Sequence, residues 1–211
     1  MTCLRFVRRF VRAIRYNWHR PVVGGLMRCF LAIELPVEIS DRLAQLGARL
    51  RRCPVRATWV RAEHMHLTLR FLGETDDDAC GAVVAHLRAC MRGVAVFELH
   101  VQGAGAFPNA RRPSVVWAGA GPLTGALETV QARCEEAARL AGLAPESKPF
   151  HPHITLARVK DRQPSPELTH AIERERAFTA GEFVVRGVSL FSSELTPRGP
   201  VYTRHEEFSF A

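Results

Sequence analysis

The sequence has no apolar run near the roughly 20 residues that span a bilayer as a helix, which excludes an integral α-helical membrane protein. It has no C-x-x-C pair either. Cys3, Cys29, Cys53, Cys80, Cys90 and Cys134 stand far apart. That excludes a zinc ribbon and a thioredoxin-type redox site, and six scattered thiols in 211 residues do not form a disulfide scaffold. The expected compartment is reducing and cytoplasmic. A Walker-type loop, G-x-S-x-G and H-E-x-x-H are all missing, so the chemistries they carry have no support. Lysine is almost absent, with only Lys148 and Lys160 beside abundant arginine.

What is present bounds the rest. Apolar residues make up 47% of the chain, enough for a core and too much for disorder. A length of 211 residues fits one domain, or two small lobes sharing a core. The formal net charge is +8, of which the six arginines of residues 1–26 supply +6, leaving +2 for the body. A body that mildly basic predicts a local nucleic-acid groove rather than a general cationic coat.

Residues 4–15 place Phe6, Val7, Phe10, Val11 and Ile14 at helical spacing, with arginines on the other side. This is a basic amphipathic helix pattern. It lacks the apolar stretch of a secretory signal. Such a helix suits an anionic membrane surface, RNA phosphates or organelle import. The plainer expectation is that the domain starts at Met27, with Gly24 and Gly25 as the break. The expected organisation is a basic extension over 1–26 and a single bilobal domain over 27–211.

Along the body, strands are expected at 28–35, 58–60, 64–72, 95–102, 114–119, 151–159, 182–191 and 200–210. Helices are expected at 37–51, 76–92, 122–141 and 167–175. The acidic start at Asp76, Asp77 and Asp78 suits the positive end of a helix dipole. Strands and helices are mixed with several hairpins, so the fold class is α+β. One pattern occurs twice: an alternating H-x-H-x-T-x strand at 64–69 and again at 151–156. The repeat predicts two similar lobes, each giving one strand to a shared cleft.

In a strand, residues i and i+2 share a face. His64, His66, Thr68 and Arg70 therefore fall together, opposite Met65, Leu67, Leu69 and Phe71. In the second strand His151, His153 and Thr155 fall together, opposite Ile154 and Leu156. A single polar stripe of this kind is ordinary. Two copies with the same residue types in the same order are not. Two imidazoles across a cleft suit a general acid and a general base, because imidazole titrates near neutrality. Threonine hydroxyls can hold non-bridging phosphate oxygens, and arginine adds charge where phosphorane charge develops. This is a phosphodiester-cleaving arrangement without metal. Zinc on His64-x-His66 and His151-x-His153 is the alternative, but such a site has no need of a threonine two residues after each pair.

The tetrads HLTL at 66–69 and HITL at 153–156 resemble those of the two-histidine (2H) phosphoesterase superfamily, and within it the RNA 2′,3′-cyclic phosphodiesterases, also called 2′-5′ RNA ligases. The resemblance extends over RCFLAIELP, WVRAEHMHLTLRFLGE, GAGAFP, VVWAGAG, PFHPHITLAR and LFSSELTPRGPVY. It implies a bilobal fold of two pseudo-symmetric antiparallel sheets around a central cleft, with helices outside. It implies hydrolysis of an RNA 2′,3′-cyclic phosphate to a 2′-phosphomonoester with no cofactor or metal. By the same resemblance His66 is the proton donor to the departing 3′ oxygen, His153 the base that activates water, and Thr68 and Thr155 the phosphate contacts.

Arg158 stands in the family's TLAR position, although strict alternation puts it opposite His153 unless a bulge turns it. Arg70 has cleft parity or is simply solvated. His64 and His151 either orient the catalytic pair or merely line the cleft. Phe150 either stacks on a base, as aromatics do in single-stranded RNA recognition, or packs in the core. The expected partners are RNA 3′ ends or small cyclic-phosphate nucleotides, with a monomer as the default. Two other functions stay open: joining a cyclic end to a 5′-hydroxyl, which is the reverse reaction, and RNA-end binding without catalysis.

Overall fold

The computed structural model describes residues 25–122, 125–161, 163–197 and 199–211. The expected extension over 1–26 thus lies, but for Gly25 and Leu26, outside the described residues. The elements run β1 (Met27–Glu34), α1 (Val37–Leu50), β2 (Ala57–Trp59), β3 (His66–Thr75), α2 (Asp77–Cys90), β4 (Phe97–Phe107) and β5 (Val115–Gly121). They continue with α3 (Ala126–Leu140), β6 (His153–Val159), α4 (Pro166–Arg174), β7 (Thr179–Val185), β8 (Gly187–Thr196) and β9 (Gly199–Ser209).

The strands form one curled antiparallel sheet in the order β7-β4-β5-β6-β3-β1-β8-β9, with β2 on the outer part of β6. Its halves are β7-β4-β5-β6 and β3-β1-β8-β9. Among the described residues they are joined where β3 and β6 pair, at Leu67 opposite Ile154. A two-fold rotation through that pair exchanges β3 with β6, β1 with β5, β8 with β4 and β9 with β7. The α+β class and the two related antiparallel lobes are therefore as expected, with the lobes fused edge to edge. No helix among the described residues is long and apolar enough to cross a membrane.

The helices cover one face and leave the other open as the cleft. Each buries a stripe at 3.6-residue spacing: Ile39, Leu43, Leu46 and Leu50 on α1, and Leu127, Val130, Cys134 and Ala137 on α3. Helices α2 and α3 pack together behind the β3 half, while α1 and α4 lie behind the β6 half. Asp76 caps α2 by accepting from the Ala79 N–H at 2.9 Å, and Ser165 caps α4 ahead of Pro166. Beneath them lie Leu31, Ile33, Leu67, Leu99, Val101, Ile154 and Leu156, all fully buried.

Several element boundaries differ from expectation. His64 ends a short 3-10 turn (Ala62–His64), and β3 starts two residues later at His66. Strand β6 likewise starts at His153, after Pro152, which has no N–H for a ladder. Strand β4 runs through the glycine-rich GAGAF stretch to Phe107, because the large neighbour Trp117 fills the space above those small residues. The single strand expected over 182–191 is two. Strand β7 ends on one edge of the sheet beside β4, and β8 begins in the other half beside β1.

Candidate active site

Leu67 opposite Ile154 sets the register at the molecular centre. That register places His66 beside Thr155 and Thr68 beside His153, all on the open face. The two histidines then lie on a diagonal, where residues of antiparallel strands stand about 7–8 Å apart and their Cβ atoms somewhat closer. Strands separated by 87 residues of sequence thus present one four-residue cluster.

Each histidine is held in the same way. The His66 Nδ1 lies 2.9 Å from the carbonyl oxygen of His64, and the His153 Nδ1 lies 2.7 Å from that of His151. A carbonyl only accepts, so Nδ1 carries the hydrogen and donates. The free nitrogen of each ring is therefore Nε2, a lone-pair base when neutral and an N–H acid when protonated. This bond also explains the late strand starts, since both carbonyls turn to the ring instead of a neighbouring strand. His64 and His151 contribute their backbone to the cluster. The His64 ring stands edge-on to Tyr202 at 5.1 Å, and the His151 ring lies 6.1 Å from Phe107.

Aromatic side chains wall the imidazoles. Phe30 stacks on His66 at 4.8 Å and 25°, with Tyr202 edge-on at 5.5 Å. Phe107 meets His153 edge-on at 4.9 Å and 88°, with Trp117 at 6.4 Å. Apolar walls disfavour the imidazolium. Burial, aided by the charges of His64, Arg158 and His153, holds His66 down at about 4, although the His64 carbonyl works the other way. Burial, then Arg158 and His151, also lowers His153, against the pull of the His151 carbonyl.

The arginines exchange the places that strict alternation gives them. Along β3 the pairing steps from Arg70 opposite Leu31 to Thr68 opposite Ala32, so Leu69 is an extra, bulged residue. Along β6 it steps from Ala157 opposite Val116 to Thr155 opposite Trp117, so Leu156 is the matching bulge. A bulge of one residue reverses the parity of all that follows. Arg158 therefore returns to the face of His153 and Thr155, near enough to depress both imidazoles. Arg70 turns away to the helix side, where it is 7% exposed. There it salt-bridges Glu135 at 2.5 Å and Glu146 at 3.7 Å and donates to the carbonyls of Ala144 and Phe71. Neither a cleft role nor a solvated one fits Arg70. Phe71 takes the position on β3 that Arg158 takes on β6. Phe150 packs against the hydrophobic core and does not line the cleft pocket.

Beside His153 the open face deepens into a pocket of about 660 Å³. It is lined by His100, Gln102, Phe107, Trp117, Gly119–Pro122 and His151–His153. Phe30, Phe107, Trp117 and Tyr202 lie outside the expected site residues, because the polar stripes that mark the histidines carry no information about which aromatics face them. A signal was available in VVWAGAG, whose alternation buries Val116 and Ala118 and leaves Trp117 on the open face. Among the described residues no group of three or more His, Cys, Asp or Glu side chains is placed to hold a metal ion.

The family model of the 2′-5′ RNA ligase superfamily matches residues 35–196. The chain belongs to this superfamily. A relative from Methanothermobacter thermautotrophicus, named RNA 2′,3′-cyclic phosphodiesterase, is 33% identical over 183 residues, 86% of this chain and 98% of its own. A crystal structure of a Thermus thermophilus protein is similar with a TM-score of 0.73 at 33% identity, covering 87% of this chain and 97% of that one. Escherichia coli LigT in complex with 3′-AMP gives a TM-score of 0.71 at 26% identity, covering 88% and 99%.

Proposed function

We propose that the protein hydrolyses RNA 2′,3′-cyclic phosphate ends to 2′-phosphomonoesters, using His66 and His153 as acid and base and no metal. The observation that carries this reading is the matched pair of imidazoles on one open face, each tied at Nδ1 to a carbonyl and free at Nε2. The relatives' names supply the substrate class. Residues 27–211 act in it as one catalytic unit, because the cluster takes one strand from each lobe.

The cyclic phosphate sits between the imidazoles with its non-bridging oxygens toward Thr68, Thr155 and Arg158. Neutral His153 takes a proton from water at Nε2 as the oxygen attacks phosphorus. Protonated His66 gives its Nε2 proton to the departing O3′, and the 2′-phosphomonoester is left. Charge accumulating on the equatorial oxygens is met by the guanidinium and the two hydroxyls.

The depressed affinity of His66 for a proton has a consequence for this sequence of steps. In the empty cleft both imidazoles favour the neutral form near neutrality. A phosphodiester brings one negative charge between them, which favours the imidazolium. Substrate binding thereby loads the proton that His66 then delivers.

The test is hydrolysis of an oligonucleotide ending in a 2′,3′-cyclic phosphate, in excess chelator, with the product monoester identified. His66→Ala or His153→Ala is expected to lower the rate by roughly 10²–10⁴-fold with the fold intact. Wild-type turnover in both variants sinks the reading. Activity lost to chelator and restored by zinc sinks its metal-free part.

A further inference from the structure

Cysteine takes no part in the reaction proposed above, yet two thiols of this chain touch. The sulfurs of Cys29 and Cys80 lie 3.7 Å apart, although 51 positions separate them in sequence. Both side chains are buried. Cys29 belongs to β1 and Cys80 to the first turns of α2, so the contact joins the sheet to the helix layer. The Cys80 S–H donates to the Cys29 sulfur. That bond lowers Cys29, against burial and the charge of Asp77, and it raises Cys80, where burial acts the same way. A thiolate, not a thiol, is the nucleophile. The pair therefore divides into an attacking sulfur, Cys29, and a resolving one, Cys80.

Cys29 is also the chain neighbour of Phe30, the ring that stacks on His66 at 4.8 Å and meets Phe191 at 5.4 Å and Tyr202 at 5.3 Å. We propose that Cys29 and Cys80 form a reversible disulfide when a hydroperoxide reaches them, and that this bond, acting through Phe30, slows catalysis at His66. The control of rate rests on the role given to His66 above; the disulfide itself does not. To bond, the sulfurs must close by about 1.7 Å, from 3.7 Å to about 2.05 Å. Strand β1 is held by β8 without a break, Cys29 opposite Ser192 and Phe30 opposite Phe191. Against β3 the pairing steps from Cys29 opposite Gly73 to Phe30 opposite Phe71, so Leu72 is an extra residue beside that same peptide. The closure is taken up there, where the ladder is interrupted. Cys29 faces the helices and Phe30 the cleft, so a peptide drawn toward α2 moves the Phe30 ring across His66.

The oxidation balances with one hydroperoxide. The Cys29 thiolate attacks a peroxide oxygen, the O–O bond breaks, and a sulfenic acid and hydroxide form. The Cys80 sulfur then attacks the Cys29 sulfur and expels the second hydroxide. The two thiol protons convert both hydroxides to water. The sulfurs give up two electrons and the peroxide gains them. A dithiol reductant returns two electrons and two protons and restores the pair. Hydrogen peroxide is little larger than water, and the first turns of a helix open locally at small cost, so the reagent reaches the contact without global unfolding.

The experiment treats the full chain with hydrogen peroxide, blocks remaining thiols with an alkylating reagent in denaturant, and maps linked peptides by mass. A parallel sample is assayed for hydrolysis of adenosine 2′,3′-cyclic phosphate before and after dithiothreitol. The expected product is one linked pair, Cys29 with Cys80. The linked enzyme is expected to lose at least about fivefold in kcat, since small misplacements of a reacting group cost up to about a hundredfold. The acid limb of its pH profile should move upward, because Phe30 then shields His66 less from water. Dithiothreitol should restore both. Cys80→Ala should keep the reduced rate within about twofold and lose the sensitivity to peroxide, and Cys134→Ala should retain it; Cys80→Ser stands in if Cys80→Ala fails to fold. Absence of the Cys29–Cys80 link after oxidation overturns the proposal. So does a complete link with unchanged kcat and pH profile, or peroxide inactivation that persists in the Cys80 variant. Absence of hydrolysis by the reduced wild type would instead overturn the catalytic reading, and the peptide map would still report on the disulfide.

Discussion

Arg158 and Arg70 offer the sharpest test, because a strict two-residue alternation and the bulged strands assign them opposite duties. Replacing Arg158 by Met removes a guanidinium from the open face while keeping an unbranched apolar stem. Loss of one preorganised donor to a developing oxyanion costs about 10²–10³ in kcat. The same change lifts a positive charge from beside both imidazoles, since Arg158 depresses His66 and His153 alike. Both should then hold protons to higher pH, and the profile of kcat/KM should move upward. Arg158→Lys keeps a charge but not the planar fork, so it should fall between wild type and Met in rate.

Arg70→Met should do the reverse. It strands Glu135 and Glu146 beside a buried apolar side chain. Breaking a buried pair costs about 3–5 kcal/mol, and the low end applies because Glu146 keeps much of its solvent contact. A loss of about 3 kcal/mol lowers Tm by roughly 6–12 °C in a chain of this size. Activity per folded molecule should stay within a few-fold of wild type. Steady-state hydrolysis and thermal melts of the three variants decide the matter. An Arg158→Met enzyme within threefold of wild type, or an Arg70→Met enzyme that melts normally but has lost a hundredfold in rate, would show that the bulges do not set these faces.

Three further outcomes follow from the geometry. Thr68→Val and Thr155→Val each remove one hydroxyl from a charged phosphate, a bond worth about 1.5–3 kcal/mol, so kcat/KM on a cyclic nucleotide should fall roughly 10- to 150-fold. His66 binds its proton at about 4 in the fold and near 6.5 when unfolded, so the unfolded chain takes up more protons between those values. Its contribution to stability is therefore complete above pH 6.5 and is lost as pH falls toward 4. Chemical denaturation across that window should show up to about 3 kcal/mol of pH dependence that His66→Gln flattens. Gly105→Ala drives a methyl into the Trp117 ring. It should cost about 1–3 kcal/mol and alter the tryptophan emission, while Gly93→Ala, with open space around its Cβ, should do neither.

Most elements were readable in the chain because local rules wrote them. Leu43, Leu46 and Leu50 mark the buried side of α1 by spacing alone, and Asp76 announces the start of α2 through its side-chain cap. The HLTL and HITL tetrads named both imidazoles and both threonines, because period-two alternation holds over those four residues. It fails one residue later. Whether Leu69 and Leu156 are bulged depends on the registers of β1 and β5 against their neighbours, which are set by non-local pairing. Those registers exchange the faces of Arg70 and Arg158 and bring Phe71 opposite Phe30. Likewise, the aromatic walls come from β1, β4, β5 and β9, four strands that only the folded sheet brings beside the histidines. The sequence by itself determined the paired imidazoles and threonines and their local order. The tertiary structure decided which charge shares the imidazoles' face, how dry the imidazoles are and what space lies beside them. Pairing between distant strands, not local spacing, fixes those three properties.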